Sequence, residues 1–360
     1  MKILYIAPDI TDSGGISRVI SLKANYFVTN FKYEVLILSV NNSYPNSFYD
    51  FNPAIKWHNI KKSKYFFHFF KNYIQLIKKT ISNEKPDIII VCDAVLWLFI
   101  PWFVKTDIPI IFETHFSLSF GKIKNRNFYS KFRHRLIHFL KKKTINKFTC
   151  FVSVTDQETN EWGAKKRVVI PNPMSFGILK KTDFVNKKAM AVCLNPHIKG
   201  LDRLLLVWSK IIEKHSDWIL DIYGQWDTEK EYQKISKKIS NNVNFLLPTA
   251  NIQSSYSESS VFLMTSRTEA FGMVLIEAMA SGVTCIAYDC PSGPRAIIED
   301  EVNGFLIEDG NSDLFVQKLE LLIEDEDLRF QMGKAAQESV KKYEIDGIMK
   351  RWNKLFLDLI

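Results

Sequence analysis

The chain has 360 residues, 46% hydrophobic and 24% charged, a balance expected of a globular protein and a length that predicts two domains rather than one core. Its net charge of +9 is uneven: residues 1–170 hold 26 Lys and Arg against 12 Asp and Glu, and the remainder is net acidic, so the first part is expected to meet something anionic. Five cysteines without metal spacing or an even framework argue against a disulfide scaffold and read as reduced, buried thiols of a cytoplasmic protein; the scattered histidines form no ligand pattern.

The N-terminal "MKILYIAPD" turns polar too soon for a signal peptide and opens with a strand, "KILYIA". A glycine loop, "DSGGIS", follows, then an apolar-periodic helix over 16–27. Further strands are predicted at 33–39, 86–92, 108–113 and 148–154. The oily run 88–104 is broken by Asp93 and Pro101, so it reads as a buried strand followed by a helix rather than a membrane span. Continuous β-branched strands alternating with helices predict a parallel sheet covered on both faces.

"VVIPNPMSFG" (168–177) interrupts the pattern and marks a domain junction. The alternation then restarts: strands at 188–194, 218–224, 242–247, 260–266 and 283–289, a periodic helix at 200–214, and a closing amphipathic helix, "IDGIMKRWNKLFLDLI". The expected division is 1–172 and 180–344, with 345–360 crossing back to the first domain. Ligands of open α/β sheets bind outside the carboxyl ends of the strands, so the loops after 2–7, 108–113, 188–194, 260–266 and 283–289 are the expected sites.

Within "SRTEAFGMVLIEAMASG" (266–282), every side chain from Met273 to Ala280 is apolar except Glu277. A carboxylate in such a helix is costly without a partner. Glu269 precedes it by eight positions, in the loop before the helix. The helix N-terminus suits a phosphate, and Gly272 lets a ligand approach the backbone. Two carboxylates separated by a phosphate site read as grips on the two ends of one ligand, each suited to paired hydroxyls. The plainer alternative is that Glu277 pairs with a buried Arg or Lys. Other candidates are Gly14 and Gly15 in the first loop and His115 after the strand at 108–113, with Glu113 as its weaker companion or as the cap of a neighbouring element. "EDED" (324–327) imitates a metal motif but reads as a helix cap. The segment 121–147 holds ten Lys or Arg and no acid, with apolar residues at helical spacing. It suits an anionic membrane surface, or equally a core-facing helix with a solvated basic face. No nucleic-acid module accompanies it.

The stretch "EAFGMVLIEAMASGVTCIAYDCPSGPRAII…NGFLI", with "SGGISRVI", "VVIPNP" and the terminal helix, resembles the family 4 retaining glycosyltransferases, over nearly the whole chain. The resemblance implies a GT-B fold of two Rossmann-like, doubly wound α/β domains facing a cleft. It implies a nucleotide-sugar donor held by the second domain, an acceptor on the first, and no obligatory metal; the donor is expected to be a UDP-sugar, the acceptor a saccharide or lipid-linked saccharide, and no cofactor is expected. Carried over by position, Glu269 would bind the donor sugar hydroxyls, with Phe271, Gly272, Met273 and Val274 around the phosphates and sugar. Glu277 would bind the ribose, Lys199 the diphosphate with Asn195 nearby, His115 the region of the reacting carbon, and Gly14 and Gly15 the acceptor or leaving phosphate. The family usually has Gly-Arg where this chain has Cys193 and Leu194. Arg295 is the candidate replacement, or else it pins its own turn. The expected activity is sugar transfer to an envelope glycan, at the inner face of the cytoplasmic membrane. A nucleotide-sugar epimerase of the same fold and a non-catalytic membrane-docked partner of another transferase are the alternatives.

Overall fold

The computed structural model describes residues 1–40, 47–61, 64–93, 96–116, 139–179, 186–226 and 239–360. The chain divides into two compact units, Met1–Pro173 with Asp346–Ile360, and Met174–Ile345.

The first unit is built on seven parallel strands: β1 Lys2–Ala7, β2 Glu34–Val40, β3 Lys56–Ile60, β4 Ile88–Cys92, β5 Ile110–Glu113, β6 Cys150–Ser153 and β7 Arg167–Val169, in the order β3-β2-β1-β4-β5-β6-β7. The sheet reverses direction of growth between β1 and β4, which is where doubly wound sheets bind ligands. β1, β4 and β5 are apolar nearly throughout and buried, as strands covered on both faces must be. β3 and β7 do not stand out in the sequence because they are short edge strands whose side chains are only partly covered. One side of the sheet packs an aromatic cluster in which Trp97 stacks on Phe112 with ring centroids 4.3 Å apart, beside Phe148, Phe151 and Trp162.

The closing helix, Ile345–Leu359, buries Ile348, Met349, Trp352, Leu355 and Phe356, spaced to form one stripe. It packs in the first unit: Phe356 lies 5.3 Å from Phe27, and the Tyr33 hydroxyl donates to Asn353 Oδ1. The Arg351 guanidinium donates to the Val169 carbonyl.

The second unit repeats the plan with six parallel strands: β8 Lys188–Val192, β9 Ile219–Tyr223, β10 Val243–Leu246, β11 Val261–Met264, β12 Thr284–Tyr288 and β13 Gly304–Ile307, in the order β10-β9-β8-β11-β12-β13. Its switch point lies between β8 and β11. The helix Leu201–Ile211 buries Leu204, Val207, Trp208 and Ile211 against this sheet; at about 1.5–3 kcal/mol per fully buried large side chain, that stripe outweighs any propensity term. The helix Met273–Ala280 is apolar nearly all round and buried from Leu275 onward. Asp325, in "EDED", caps the helix Glu326–Val340 by accepting from the Leu328 N–H at 2.8 Å. The five cysteines are free and buried. No helix among the described residues is long and apolar enough to cross a membrane.

Candidate functional site

In the second unit, the strand order makes β8 and β11 neighbours, so the loops leaving their carboxyl ends meet. After β8 the chain forms the single helical turn Pro196–Lys199, capped by Asn195, whose side chain accepts from the Ile198 N–H at 3.2 Å. Gly200 ends this turn at φ 68°, and a Cβ there would lie 2.1 Å from the Thr265 carbonyl oxygen, so only glycine lets the two loops close on each other. They are latched by the Thr265 hydroxyl, which donates to the Lys199 and Gly200 carbonyls, and by the Arg267 N–H, which donates to the Ile198 carbonyl at 2.8 Å. The Arg267 guanidinium also grips Asp202 bidentately, at 2.8 and 2.6 Å. This latch places the Lys199 ammonium against the Glu269 carboxylate in an ion pair, with the Ser266 hydroxyl donating to the same oxygen at 2.8 Å. Both charges keep some solvent access, 23% for the lysine side chain and 10% for the glutamate.

Glu269 is held from behind as well. Its carbonyl accepts from the Gly293 N–H at 3.0 Å, and its backbone pairs with Ser292 across an isolated bridge. Phe271 is buried edge-on against Tyr343. Gly272, at φ 102°, turns the chain into the helix Met273–Ala280, whose first turn carries the half-buried Met273 and Val274. The first N–H groups of a helix have no intrahelical acceptor, so this N-terminus offers donors beside the Lys199–Glu269 pair.

Glu277 lies one turn further in and is 6% exposed. Its carboxylate accepts from the Ser175 hydroxyl, 102 residues away in the junction segment, and from the Tyr256 hydroxyl at 3.2 Å. Sequence reasoning anticipated that this acid needs a partner but did not find these two hydroxyls. Arg295 forms a bidentate pair with Asp289, at 2.8 and 2.6 Å, so its guanidinium pins the turn after β12. With Arg267 committed to Asp202 and Arg295 to Asp289, Lys199 is the cation that the structure sets against Glu269.

In the first unit, Gly14 and Gly15 form the loop into the helix Gly15–Thr29. The Asp12 carboxylate accepts from the Gly14 N–H at 2.9 Å and from the Ser17 hydroxyl, so an acid already faces this helix start.

β4 and β5 pair with Cys92 opposite Glu113, which brings Asp93 and His115 together at the strand ends. The His115 N–H donates to Asp93 Oδ2 at 2.5 Å, and the Thr114 hydroxyl donates to Asp93 Oδ1 at 3.1 Å. The His115 ring Nε2 lies 3.1 Å from Glu113 Oε1. That oxygen also accepts from the Lys23 ammonium, 2.5 Å away, in a pair that is buried at both ends. The ammonium sits 3.7 Å above the Trp352 ring of the closing helix. Glu113, the last residue of β5, is therefore one half of a buried ion pair and not the cap of a neighbouring element; the reason is Lys23, which reaches it from a helix 90 residues away. Burial opposes the charge on Glu113, but Lys23 and His115 outweigh it and hold the carboxyl at about 2. Asp93 goes the other way: burial pushes it up to about 6 against the pull of His115. Cys92, Glu113 and His115 stand close enough to share an ion. Lys23 already supplies the positive charge there, and burial and Glu113 push the Cys92 thiol up, so the donor set does not fit a metal.

Glu158 was not singled out by the sequence. It follows β6 in the helix Asp156–Trp162, fully buried, with neither carboxylate oxygen hydrogen-bonded. Thr155-x-x-Glu158 has the form of a capping box, but only the threonine half is made. Burial, with Asp93 and Glu161 nearby, pushes Glu158 up to about 9. The basic segment 121–147 lies outside the described residues up to 138; residues 139–145 are helical.

Residues 184–339 match the family model "Glycosyl transferases group 1", and residues 13–175 match "Glycosyltransferase Family 4". An uncharacterized glycosyltransferase of Haemophilus influenzae is 28% identical over 98% of each chain. The amylovoran biosynthesis glycosyltransferase AmsD of Erwinia amylovora is 27% identical, again over 98% of each. Among solved structures, the apo form of the lipopolysaccharide outer core galactosyltransferase WaaB superposes with a TM-score of 0.75 at 20% identity, covering all of both chains.

Proposed function

The chain belongs to the family 4 glycosyltransferases, and from that premise we propose that it is a retaining enzyme, moving a sugar from a UDP-sugar to a hydroxyl of an envelope glycan or lipid-linked saccharide at the inner face of the cytoplasmic membrane. The second unit holds the donor, and the first takes the acceptor. The observation that carries this reading is the Lys199–Glu269 pair set beside the N-terminus of the helix that contains Glu277.

The chemistry needs charge stabilisation of a departing diphosphate more than a protein nucleophile. The acceptor oxygen attacks the anomeric carbon as the bond from that carbon to the phosphate oxygen breaks. The acceptor's proton passes to the departing phosphate on the same face, which retains the anomeric configuration. Lys199 has three donors; one stays on Glu269 and the others meet the diphosphate. The N–H groups at Met273 and Val274 receive the rest of the developing charge. Glu269 accepts from the sugar hydroxyls, and Glu277, already oriented by Ser175 and Tyr256, accepts from the ribose. Asn195 acts by capping the turn that presents Lys199. His115, backed by Glu113, orients the reacting groups on the first unit. No metal or other cofactor takes part in this scheme.

The test is release of UDP or GDP by purified protein from a panel of nucleotide sugars, with and without saccharide acceptors, and assignment of the product anomer by NMR. Acceptor-dependent UDP release that Glu269→Ala abolishes is the expected result. Nucleotide release from no donor in the panel, or an inverted product, overturns the reading.

A further inference from the structure

His115 presents a buried ring nitrogen that the fold leaves unanswered. Its side chain is 5% exposed, and Nδ1 has no hydrogen-bond partner. Buried polar atoms in a native fold are nearly always paired, so an exception calls for a reason. The backbone beneath the ring is held firmly. The Thr114 N–H donates to the Val152 carbonyl of β6 at 3.1 Å, and the His115 N–H donates to Asp93 Oδ2. Asp93 itself sits at φ 40°, a left-handed conformation that is costly for a residue with a side chain. Such strain persists where several contacts over-determine a position, and it clusters at functional sites. Loose placement therefore does not account for the bare Nδ1.

The other ring nitrogen shows where the proton sits. Nε2 lies 3.1 Å from Glu113 Oε1. The contact is too far off line to count as a full hydrogen bond, so charge decides. Burial opposes the charge on Glu113, yet Lys23 and His115 hold its carboxyl at about 2, and near neutral pH that oxygen has no proton to share. A bare Nε2 would set one lone pair against another at this distance, whereas a protonated Nε2 makes the contact attractive. With the proton on Nε2, the neutral ring keeps its lone pair on Nδ1. Lys23 completes the arrangement. Its side chain is 1% exposed, and its ammonium meets the same Oε1, 3.7 Å from the Trp352 ring and 5.8 Å from the Tyr5 ring. A buried ion pair is a weak device for stability, since apolar side chains of similar size serve as well or better. Here the pair is neutral overall, so it gives the ring a directed acceptor oxygen with no net negative charge behind it.

We propose that Lys23 and Glu113 are positioning residues that keep the His115 proton on Nε2, so that Nδ1 accepts a hydrogen bond from a sugar hydroxyl. The proposal deepens the role given to His115 under Proposed function and rests on that reading for the identity of the hydroxyl; the placing of the proton does not depend on it. Donor sugar and saccharide acceptor present the same O–H group, and kinetics tell them apart. The opposite tautomer would turn Nδ1 into a donor and leave the hydroxyl proton facing another proton.

The experiment is long-range 15N–1H correlation NMR of the full chain labelled at histidine, with the His115 signals assigned by their loss in His115→Gln. It needs no turnover, so its outcome is separate from that of the transferase assay. Near neutral pH, wild-type His115 is expected to show the Nε2–H tautomer. Lys23→Met/Glu113→Leu removes both charges together and is expected to lose that preference, giving nitrogen shifts averaged between the two tautomers at a melting temperature close to that of wild type. A proton on Nδ1 in the wild type, in a neutral or a charged ring, overturns the proposal. So does an unchanged Nε2–H tautomer in the double variant. In steady-state assays with the nucleotide sugar and saccharide that turn over in the panel, the double variant is expected to raise KM about tenfold for the substrate that supplies the hydroxyl. A rise for the nucleotide sugar places the hydroxyl on the donor, and a rise for the saccharide places it on the acceptor. KM values unchanged for both overturn the proposal.

Discussion

Lys199 and Glu269, 70 residues apart in sequence, form an ion pair because the strands that precede them are neighbours at the switch point of the second sheet. Neither is fully buried, and exposed pairs contribute little to stability. The latch that holds them is far more elaborate than an ion pair of that worth requires: one obligate glycine, two carbonyls satisfied by Thr265, and a bidentate arginine. Lys199→Met is expected to lower kcat by about 10²–10³ while changing the melting temperature little. Steady-state UDP release beside a thermal melt distinguishes this from a structural role, in which stability and activity would fall together.

Glu277 is expected to act on donor binding more than on the chemical step. Glu277→Gln preserves shape and one acceptor oxygen, for either Ser175 or Tyr256, and the other hydroxyl turns to accept from the amide N–H. On the proposed reading it raises the donor KM about 10–100-fold and leaves kcat within a few-fold, the signature of an interaction present in both ground and transition states. Calorimetric titration with UDP alone should show a parallel loss. A fall in kcat at unchanged KM contradicts the assignment.

The Lys23–Glu113 pair predicts a strong asymmetry. Lys23→Met leaves a buried carboxylate without its main partner and is expected to cost about 3–5 kcal/mol. The double variant Lys23→Met/Glu113→Leu removes both charges and should recover most of that loss. Because Glu113 sits at about 2 in the fold against 4.5 when free, its contribution is full above pH 4.5 and lost as pH falls toward about 2. Denaturant melts of wild type and of the double variant between pH 7 and pH 3 check the sign: wild type loses the stability and the double variant does not.

Glu158 carries the opposite dependence. Its carboxyl stays protonated in the fold up to about pH 9, whereas the unfolded chain releases that proton near 4.5. Stability is therefore expected to decline as pH rises through this window. Glu158→Gln keeps the neutral state at every pH and is expected to gain about 1–3 kcal/mol at pH 8 and almost nothing at pH 4. A pH-independent difference between the two proteins contradicts this account.

The two-sheet plan was legible because central parallel strands must be apolar on both faces, and runs such as "DIIIVC" and "SVFLMTS" announce this directly. β3 and β7 were not, since an edge strand of a few half-covered residues leaves no such run. In the candidate site, the cost of an acid in an oily helix pointed to Glu277, and the helix start to the loop before it. What escaped were partners supplied across the fold: Ser175 and Tyr256 for Glu277, Asp289 for Arg295, and Lys23 for Glu113. Such pairs depend on strand order and on which helix covers which face, and no local pattern encodes them. Glu158 escaped for a different reason. It sits where a solvated capping glutamate would, and only the packing shows that it is sealed in.

The first unit leaves its own chain at Pro173 and resumes at Asp346. During synthesis the intervening body emerges complete before the closing helix exists. Until that helix arrives, Lys23 has no Trp352 above it, and Phe27 faces no Phe356. The nascent sheet β1–β7 must therefore wait, with a greasy flank open, for the last segment to seal it. Chaperone dependence during translation should concentrate on that flank, and cutting the chain after Ile345 should harm the first body while sparing the second.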